Sequence, residues 1–125
     1  MIYPNIGQLT MPEGLVGLPD ATGFTVHVDE VSSIVELVST DASGPGFLAS
    51  PLERIKPGLR ERMEDLGHAA EDEVVLVLLA VHGDPPAVTA NLAGPIVIRP
   101  VDRVGRQLVL EGDEFPLRVP LAPLD

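Results

Sequence analysis

Few side chains in this sequence could carry out chemistry, and their spacing brings none of them into a familiar site. The three histidines, His27, His68 and His82, do not follow a metal-ligand spacing. His82 and Asp84 flank a proline-rich turn, but two candidate groups do not make a zinc site. A loop role is therefore favoured for both residues, and a metal or acid–base role is the alternative.

Nucleophile and phosphate-binding motifs are also missing. Ser39, Ser43 and Ser50 lie in no G-x-S-x-G elbow, and a turn accounts for the surroundings of Ser43. Lys56 is the only lysine, and no glycine-rich phosphate loop surrounds it. Cysteine is absent, which excludes a disulfide framework and a thiolate metal site. The sequence predicts a protein that is not an enzyme and holds no cofactor or metal.

The net charge of −11, from 19 acidic and 8 basic residues, narrows the classes of partner. Such a chain repels phosphate backbones, so direct nucleic-acid binding is disfavoured. Acidity for solubility alone is one interpretation, and an anionic surface that attracts a basic partner is the other. The densest cluster lies at residues 60–73, where two arginines accompany six carboxylates: Glu61, Glu64, Asp65, Glu71, Asp72 and Glu73.

Four members of this cluster, Glu64, Asp65, Glu71 and Asp72, are our candidate contacts for a basic partner. A solvated helix face followed by a loop is the alternative interpretation. A second group of charges, Arg99, Arg103, Arg106 and Arg118, gathers around a predicted hairpin, where Asp102 and the acids of residues 111–114 oppose it. For that group we expect pairing across the hairpin.

Composition predicts one domain, spanning residues 1–125, made of short elements. The chain is 45% hydrophobic but only 3% aromatic, and it contains 13 prolines and 12 glycines. Valine, leucine and isoleucine must fill its core, and the turn residues leave no room for long helices. The opening segment shows no signal peptide, and the longest apolar run, Val74–Val81, is too short to span a membrane. We therefore expect a cytoplasmic protein without a membrane partner.

The spacing of apolar residues predicts a mostly all-β fold. Alternation favours strands at 24–28, 34–38, 47–49, 88–92 and 96–98, and Val74–Val81, apolar on both faces, is predicted to be a central strand. A hairpin loop at 102–105 with a return strand at 107–110, and a proline-containing edge strand at 117–121, complete the domain. The predicted class is a small antiparallel β-barrel-like or sandwich domain with seven or eight short strands.

One segment has helical periodicity. Apolar residues recur every three or four positions at Leu52, Ile55, Leu59, Met63 and Leu66. Proline suits the first turn of a helix, and glycine commonly ends one. The pattern predicts a short turn after residue 51, then one short helix near residues 57–66 that ends at position 67.

A motif in the second half resembles a known family. The strand that ends in Asn91-Leu92, the Gly94-Pro95 step, Ile96-Val97-Ile98 and the return through Gln107 are similar to the flagellar assembly factor FliW. The segment 11–18 is similar to the opening segment of that family. The likeness covers roughly residues 9–121. The motif residues that we take as candidate protein-binding or motif positions are Asn91, Leu92, Gly94, Pro95, Ile96 and Gln107.

The chain departs from the family pattern in two places. Aromatic residues that the family usually shows before its Leu-Gln-Ser are replaced here by Ile34 and Val35, before Leu37-Val38-Ser39. The aromatic residues that usually surround the segment after Pro51 are replaced by a charged predicted helix. Because these regions shape partner contacts, the resemblance implies the fold more firmly than the partners.

The resemblance implies a single FliW-like domain that acts as a non-enzymatic regulator of flagellar assembly. Members of that family bind CsrA, an RNA-binding regulator of translation, and stop it repressing flagellin synthesis. They also bind flagellin, so that unsecreted flagellin sequesters them and restores repression. The alternative is a generic small β protein-interaction module with other partners, because fold does not fix function.

Within the motif, Asn91 is expected to do structural work. It ends an alternating strand beside Gly94 and Pro95, and proline has no N–H to contribute to a sheet. An asparagine side chain can pair with the backbone groups that such a break leaves without partners.

Overall fold

The strands of this protein wind into a closed ring. The fold is seen in a computed structural model, which describes residues 7–41, 43–83 and 86–121. Within these residues the elements, in chain order, are β1 (Gln8–Thr10), β2 (Gly23–Val28), β3 (Val35–Ser39), β4 (Gly46–Pro51), α1 (Leu52–Ile55), α2 (Leu59–Asp65), β5 (Val74–His82), β6 (Ala87–Ala90), β7 (Ile96–Arg99), β8 (Val104–Gln107) and β9 (Val119–Pro120). The predicted mostly-β class is confirmed, and the ring makes it a barrel.

Seven strands form the ring in the order β4-β3-β2-β1-β8-β7-β5, and β5 pairs with β4 to close it. All registered pairings are antiparallel except that of β1 with β8, which is parallel and consists of Thr10 opposite Val104. The backbone N–H of Thr10 also donates to the Arg103 carbonyl at 2.9 Å. Strands β6 and β9 lie outside the ring and extend the sheet from β5.

The first part of strand β5, Val74–Val77, is buried on both faces, as the apolar run predicted, whereas the strand becomes exposed from residue 80 onward. Residues 74–76 of β5 pair with β7, and residues 79–82 pair with β6. Strand β4 pairs with residues 76–79 on the other side of β5. Side chains alternate along a strand, so Val74 and Leu76 enter the barrel while Val75 and Val77 point outward. The outward side chains are covered too, which explains why the run lacks polar residues.

The barrel interior holds the first hydrophobic core. Leu9 of β1, Leu37 of β3 and Ile98 of β7 are fully buried there, together with Met11, which directly follows β1. Phe24 packs edge-on against Phe47, with ring centroids 6.0 Å apart. With so few aromatic residues, aliphatic side chains fill most of the space, as composition predicted.

A second core lies between the outer wall of the barrel and the helices. Leu52 and Met63 from α1 and α2 pack with Val97 of β7 and with Phe115 from the segment after β8. Leu92 joins them from the turn after β6. The helices therefore have one task in the fold, which is to cover the outward face of β5 and β7.

The predicted helix at 57–66 is shorter than expected and has a neighbour. Helix α2 runs from Leu59 to Asp65, and the expected turn before it contains a second helix, α1. Lys56 is extended and Gly58 has a φ of +92°, so the backbone cannot continue as one helix between them. Gly67, at φ +78°, ends α2 as predicted. No helix of the described ranges is long and apolar enough to cross a membrane.

The return strand predicted at 107–110 is wrong in its bounds. Strand β8 occupies Val104–Gln107, and the chain then leaves the sheet. The backbone N–H groups of Leu108 and Leu110 donate to the carbonyls of Pro95 and Ala93 at 2.9 and 2.7 Å. This departure follows from packing, because the two leucines cover the second core.

The edge strand predicted at 117–121 is reduced to β9, which pairs only with β6. The prediction that proline confines this segment to an edge is confirmed. Pro120 has no N–H, so it blunts the outer edge of the sheet.

The burial of strand β5, which contributes side chains to both cores, leads to a prediction about stability. Leu76, 1% exposed, lies inside the barrel, whereas Val81 on the same strand is 59% exposed. We expect Leu76→Ala to lower the free energy of unfolding by about 2–5 kcal/mol, because it leaves a cavity in a closed core. Val81→Ala is the matched control and should change it by less than about 0.5 kcal/mol. Urea denaturation followed by circular dichroism measures both, and equal losses would contradict the assigned burial.

Candidate protein-binding surface

The motif residues meet at a turn between β6 and β7. The Asn91 side-chain oxygen accepts hydrogen bonds from the backbone N–H groups of Ala93 at 2.9 Å and Gly94 at 3.0 Å. Its own backbone N–H donates to the Leu78 carbonyl on β5. Asn91 thus turns the chain away from β6 and supplies the acceptor that the turn needs.

Gln107 holds this turn from the opposite side. Its side-chain nitrogen donates to the Gly94 carbonyl at 3.0 Å, and its side-chain oxygen accepts from the backbone N–H of Val16 at 2.8 Å. A Cβ at Gly94 would lie 2.8 Å from the Gln107 nitrogen and 3.1 Å from the Asn91 nitrogen. A side chain at position 94 would therefore push the Gln107 amide away from its hydrogen bonds to Gly94 and Val16.

The structure brings together all six motif residues that the sequence singled out. Leu92, Pro95 and Ile96 are buried. The side chains of Asn91 and Gln107 form hydrogen bonds with backbone groups. These contacts give the motif a positioning role within the fold. Direct contact of these residues with a partner stays a prediction.

The surface that the motif supports is apolar. Val16 is 65% exposed and Leu18 is 40% exposed on a turn that is closed by the Leu15–Leu18 backbone pair. Val109, two residues beyond Gln107, is 71% exposed. We call Val16, Leu18 and Val109 the apolar platform. The sequence had indicated only turn chemistry at 14–20, since periodicity cannot reveal an exposed valine in a turn.

The turn that carries Val16 and Leu18 is tightly folded. Gly14 has a φ of +70°, and a Cβ there would lie 2.5 Å from the Leu18 and Pro19 carbonyl oxygens. Leu15 is buried in the barrel core and anchors the turn from below. The exposed side chains therefore stand on a fixed backbone.

The charged residues that flank the two segments of the apolar platform in sequence are mostly negative. Glu13 and Asp20 flank its turn, Glu111 and Asp113 follow Val109, and none of the four makes an ion pair within the part of the chain that the structure describes. Residues 1–53 contain seven acids and no lysine or arginine. Sequence reasoning missed this asymmetry because it counted acids in local clusters and not the absence of bases.

The predicted acidic contacts at 60–73 divide into two groups. Arg60, 8% exposed, donates to the Glu64 carboxylate at 3.2 Å and to the carbonyls of Ala70 and Glu71 at 2.8 and 3.0 Å. Glu64 was a candidate contact for a basic partner, but its charge is compensated within the protein by Arg60. Three predicted contacts remain exposed and form no ion pair among the described residues: Asp65, Glu71 and Asp72.

Glu73 is also paired, with a residue of the distant strand β8. Its carboxylate accepts from the Arg106 guanidinium at 3.0 Å and from the Ala70 backbone N–H at 2.8 Å. Burial raises the pKa of Glu73. These hydrogen bonds and the positive charges of Arg106 and Arg99 lower the pKa by more than burial raises it, so the net shift is downward.

The arginines near the β7–β8 hairpin pair only in part as expected. Arg99 contacts Asp102 at 2.9 Å within the hairpin loop. Arg106 instead reaches the segment before β5, where it binds Glu73 and the His68 carbonyl. The two contacts of Arg106 tie the acidic segment to the barrel wall.

The candidate metal groups are dispersed. Among the described residues no three His, Asp or Glu side chains lie close enough to hold a metal ion. The ring of His82 lies 3.0 Å from the Thr89 hydroxyl, and His68 packs edge-on against Phe115. Asp84, the predicted companion of His82, lies outside the described residues.

The hydrogen bonds of Asn91 lead to a test of its role. Asn91→Ala should lower the free energy of unfolding by about 1–3 kcal/mol, because two backbone N–H groups lose their acceptor. Asn91→Asp keeps an oxygen at the same position and should retain most of the stability. Thermal and urea denaturation compare the three proteins. An alanine variant with unchanged stability but impaired partner binding would make Asn91 a contact residue.

The lowered pKa of Glu73 predicts a dependence of stability on pH. The ion pair stabilises the folded protein above the ordinary pKa of a glutamate, about 4.3, and this contribution disappears as the pH falls through the lower pKa of the folded state. Glu73→Gln should therefore be less stable at neutral pH and should lose less stability on acidification. Glu30→Gln, at an exposed loop position, is the control and should follow the parent protein. Parallel acid curves for all three would contradict the pairing.

Comparisons with known proteins agree with the motif. The family model described as "FliW protein" matches residues 3–121. A flagellar assembly factor FliW from Symbiobacterium thermophilum is 36% identical over 118 residues, which cover 88% of this chain and 86% of the relative. Flagellar assembly factor FliW 2 from Desulfotalea psychrophila is 28% identical over 126 residues, which cover 95% of this chain and 83% of the relative.

The fold gives the same result. A crystal structure of the flagellar assembly factor FliW superposes with a TM-score of 0.74 and covers 99% of this chain and 92% of that chain. At 22% sequence identity, this superposition shows a common fold. Together with the family match along nearly the whole length, these findings show that the chain belongs to the FliW family.

Proposed function

We propose that this protein, a single FliW-like domain, is a non-enzymatic, cytoplasmic regulator of flagellar assembly that works by binding other proteins. The observation that carries the proposal is the match to the FliW family over residues 3–121. The relatives that it matches are named flagellar assembly factors, and the chain spans most of their length. The proposed partners are a CsrA-type RNA-binding regulator of translation and flagellin.

The acidic segment after α2 supports the first partner. A protein that binds RNA presents positive charge, and Asp65, Glu71 and Asp72 offer exposed negative charge to meet it. Arg60 fixes the carbonyls of residues 70 and 71, so the loop that carries two of these acids is held in place. Bound beside an RNA site, such a surface would oppose the approach of phosphate, and the protein itself need not touch nucleic acid.

Flagellin is proposed as the second partner, and its binding would depend less on electrostatic attraction than that of the regulator. An amphipathic flagellin segment would dock chiefly through burial of apolar side chains. The alternative function, a generic β interaction module with other partners, keeps the same fold. A pull-down with purified flagellin and purified regulator from the same organism separates the two, and binding of neither would reject the proposed function.

Electrostatic steering by the acidic segment gives a kinetic prediction. Replacing Asp65, Glu71 and Asp72 by their amides should lower the association rate with the regulator by up to about tenfold at low salt, with little change in dissociation. Glu64 is left intact because it pairs with Arg60. The association rate with flagellin should respond less to salt and to these changes. Stopped-flow fluorescence at low and high salt measures both partners.

A variant with the same change in net charge is the control. Glu30, Glu36 and Asp41 are exposed and lie on other elements, and their triple replacement by the corresponding amides should have the smaller effect. Equal effects from both triple variants would assign the steering to net charge. Salt-insensitive association with both partners would leave the acidity as a solubility feature.

A further inference from the structure

The side chains of the apolar platform are left exposed by the described residues. Val16 and Leu18 stand on one turn, and the backbone of Val16 is bonded to Gln107, two residues before Val109. Three exposed aliphatic side chains on joined segments make a local apolar surface. Surfaces of this kind, when rimmed by polar residues, commonly mark binding sites.

The backbone under the platform is fixed before any partner arrives. Gln107 links the 14–19 turn to the 93–95 turn, and Asn91 closes the second turn from within. Leu108 and Leu110, on either side of Val109, donate to backbone carbonyls at 2.9 and 2.7 Å. A surface that is already ordered loses little conformational freedom when it binds, which favours affinity from a small contact.

The charges at the platform select the partner. In sequence, Glu13 and Asp20 flank the platform's turn, Glu111 and Asp113 follow Val109, and no lysine or arginine occurs before residue 54. Arg106 precedes Val109 by three residues, but its guanidinium is bonded to Glu73 and to the His68 carbonyl. Arg118 follows Asp113 by five residues, just before β9. An apolar segment with acidic neighbours would be repelled there, while one with basic neighbours would gain Coulomb attraction.

The two most exposed aliphatic residues lack this combination. Val31 and Val101 are almost fully exposed, but each stands alone at the tip of a hairpin. Val101 lies between Arg99 and Arg103 and is followed by Asp102, so its neighbours in sequence carry charges of both signs. Both tips are at the end of the barrel opposite the platform, because β2 and β8 run the length of the ring between them.

We propose that the apolar platform docks a short segment of a partner protein in which aliphatic side chains are flanked by lysine or arginine. The proposal rests on the proposed protein-binding function and assigns it a surface and a partner chemistry. Three side chains offer far less than the roughly 800 Å² per partner of a standard interface, so a linear segment fits better than a folded domain. The motif residues act in this binding as positioning residues.

A double variant, Val16→Glu with Val109→Glu, tests the surface. Both side chains are exposed, so the melting temperature should stay unchanged, while the affinity for flagellin or for the regulator should fall at least tenfold. Val31→Glu with Val101→Glu is the matched control and should bind normally. Isothermal titration calorimetry with each purified partner gives the affinities. Wild-type affinity of the platform variant for both partners would overturn the inference and leave the proposed function intact.

Synthetic peptides test the chemistry independently of the named partners. In methyl-labelled protein, a peptide of alternating leucine and lysine should shift the Val16 and Val109 methyl resonances and leave those of Val101 in place. The matched leucine–glutamate peptide should shift none of them. The Glu13→Gln, Asp20→Asn variant should weaken the lysine peptide and reduce its salt dependence. Platform shifts without binding of flagellin or regulator would reject the proposed function alone, and the absence of shifts with the lysine peptide would reject this inference.

Discussion

The fold depends on one strand that is apolar on both faces. Strand β5 closes the ring by pairing with β4, and it supplies side chains to the barrel interior and to the core beneath the helices. A polar residue anywhere in Val74–Val77 would be buried on one side or the other without a partner. The helices, the segment after β8 and the edge strand β9 all find their positions against its outward face or its neighbour β6.

The surface chemistry follows from how the chain leaves this framework. Where β6 ends and β7 begins, backbone groups need partners, and Asn91 and Gln107 supply them. The same hydrogen bonds fix the turns that expose Val16 and Val109. On another side of the barrel, Arg60 does a similar job for the acidic loop. In both places polar side chains satisfy the backbone, and the residues left outward are available for recognition.

The sequence predicted the parts of this structure that local patterns determine. Alternation and the two-sided run located most strands and the central strand β5, and the glycine at 67 located the end of α2. The interruption at Gly58 and the end of β8 at Gln107 were missed, because a positive φ and hydrogen bonds to Pro95 and Ala93 are properties of the packed chain. The candidate site, too, was predicted only in part. The motif residues were identified, whereas the exposure of Val16 and the pairing of Glu64 depend on contacts that spacing does not encode.

The seam between β1 and β8 has a consequence for how the protein is made. Four strands near the amino terminus pair with their sequence neighbours, so this meander can form while the ribosome is still adding residues. The ring, however, also requires the pairing of Thr10 with Val104, which are separated by most of the chain. Until β8 has been synthesised, the apolar inner face of the β1–β4 meander stays exposed to solvent. Non-local closure of this kind is slow, and the nascent chain is most vulnerable to proteases and to aggregation during that interval.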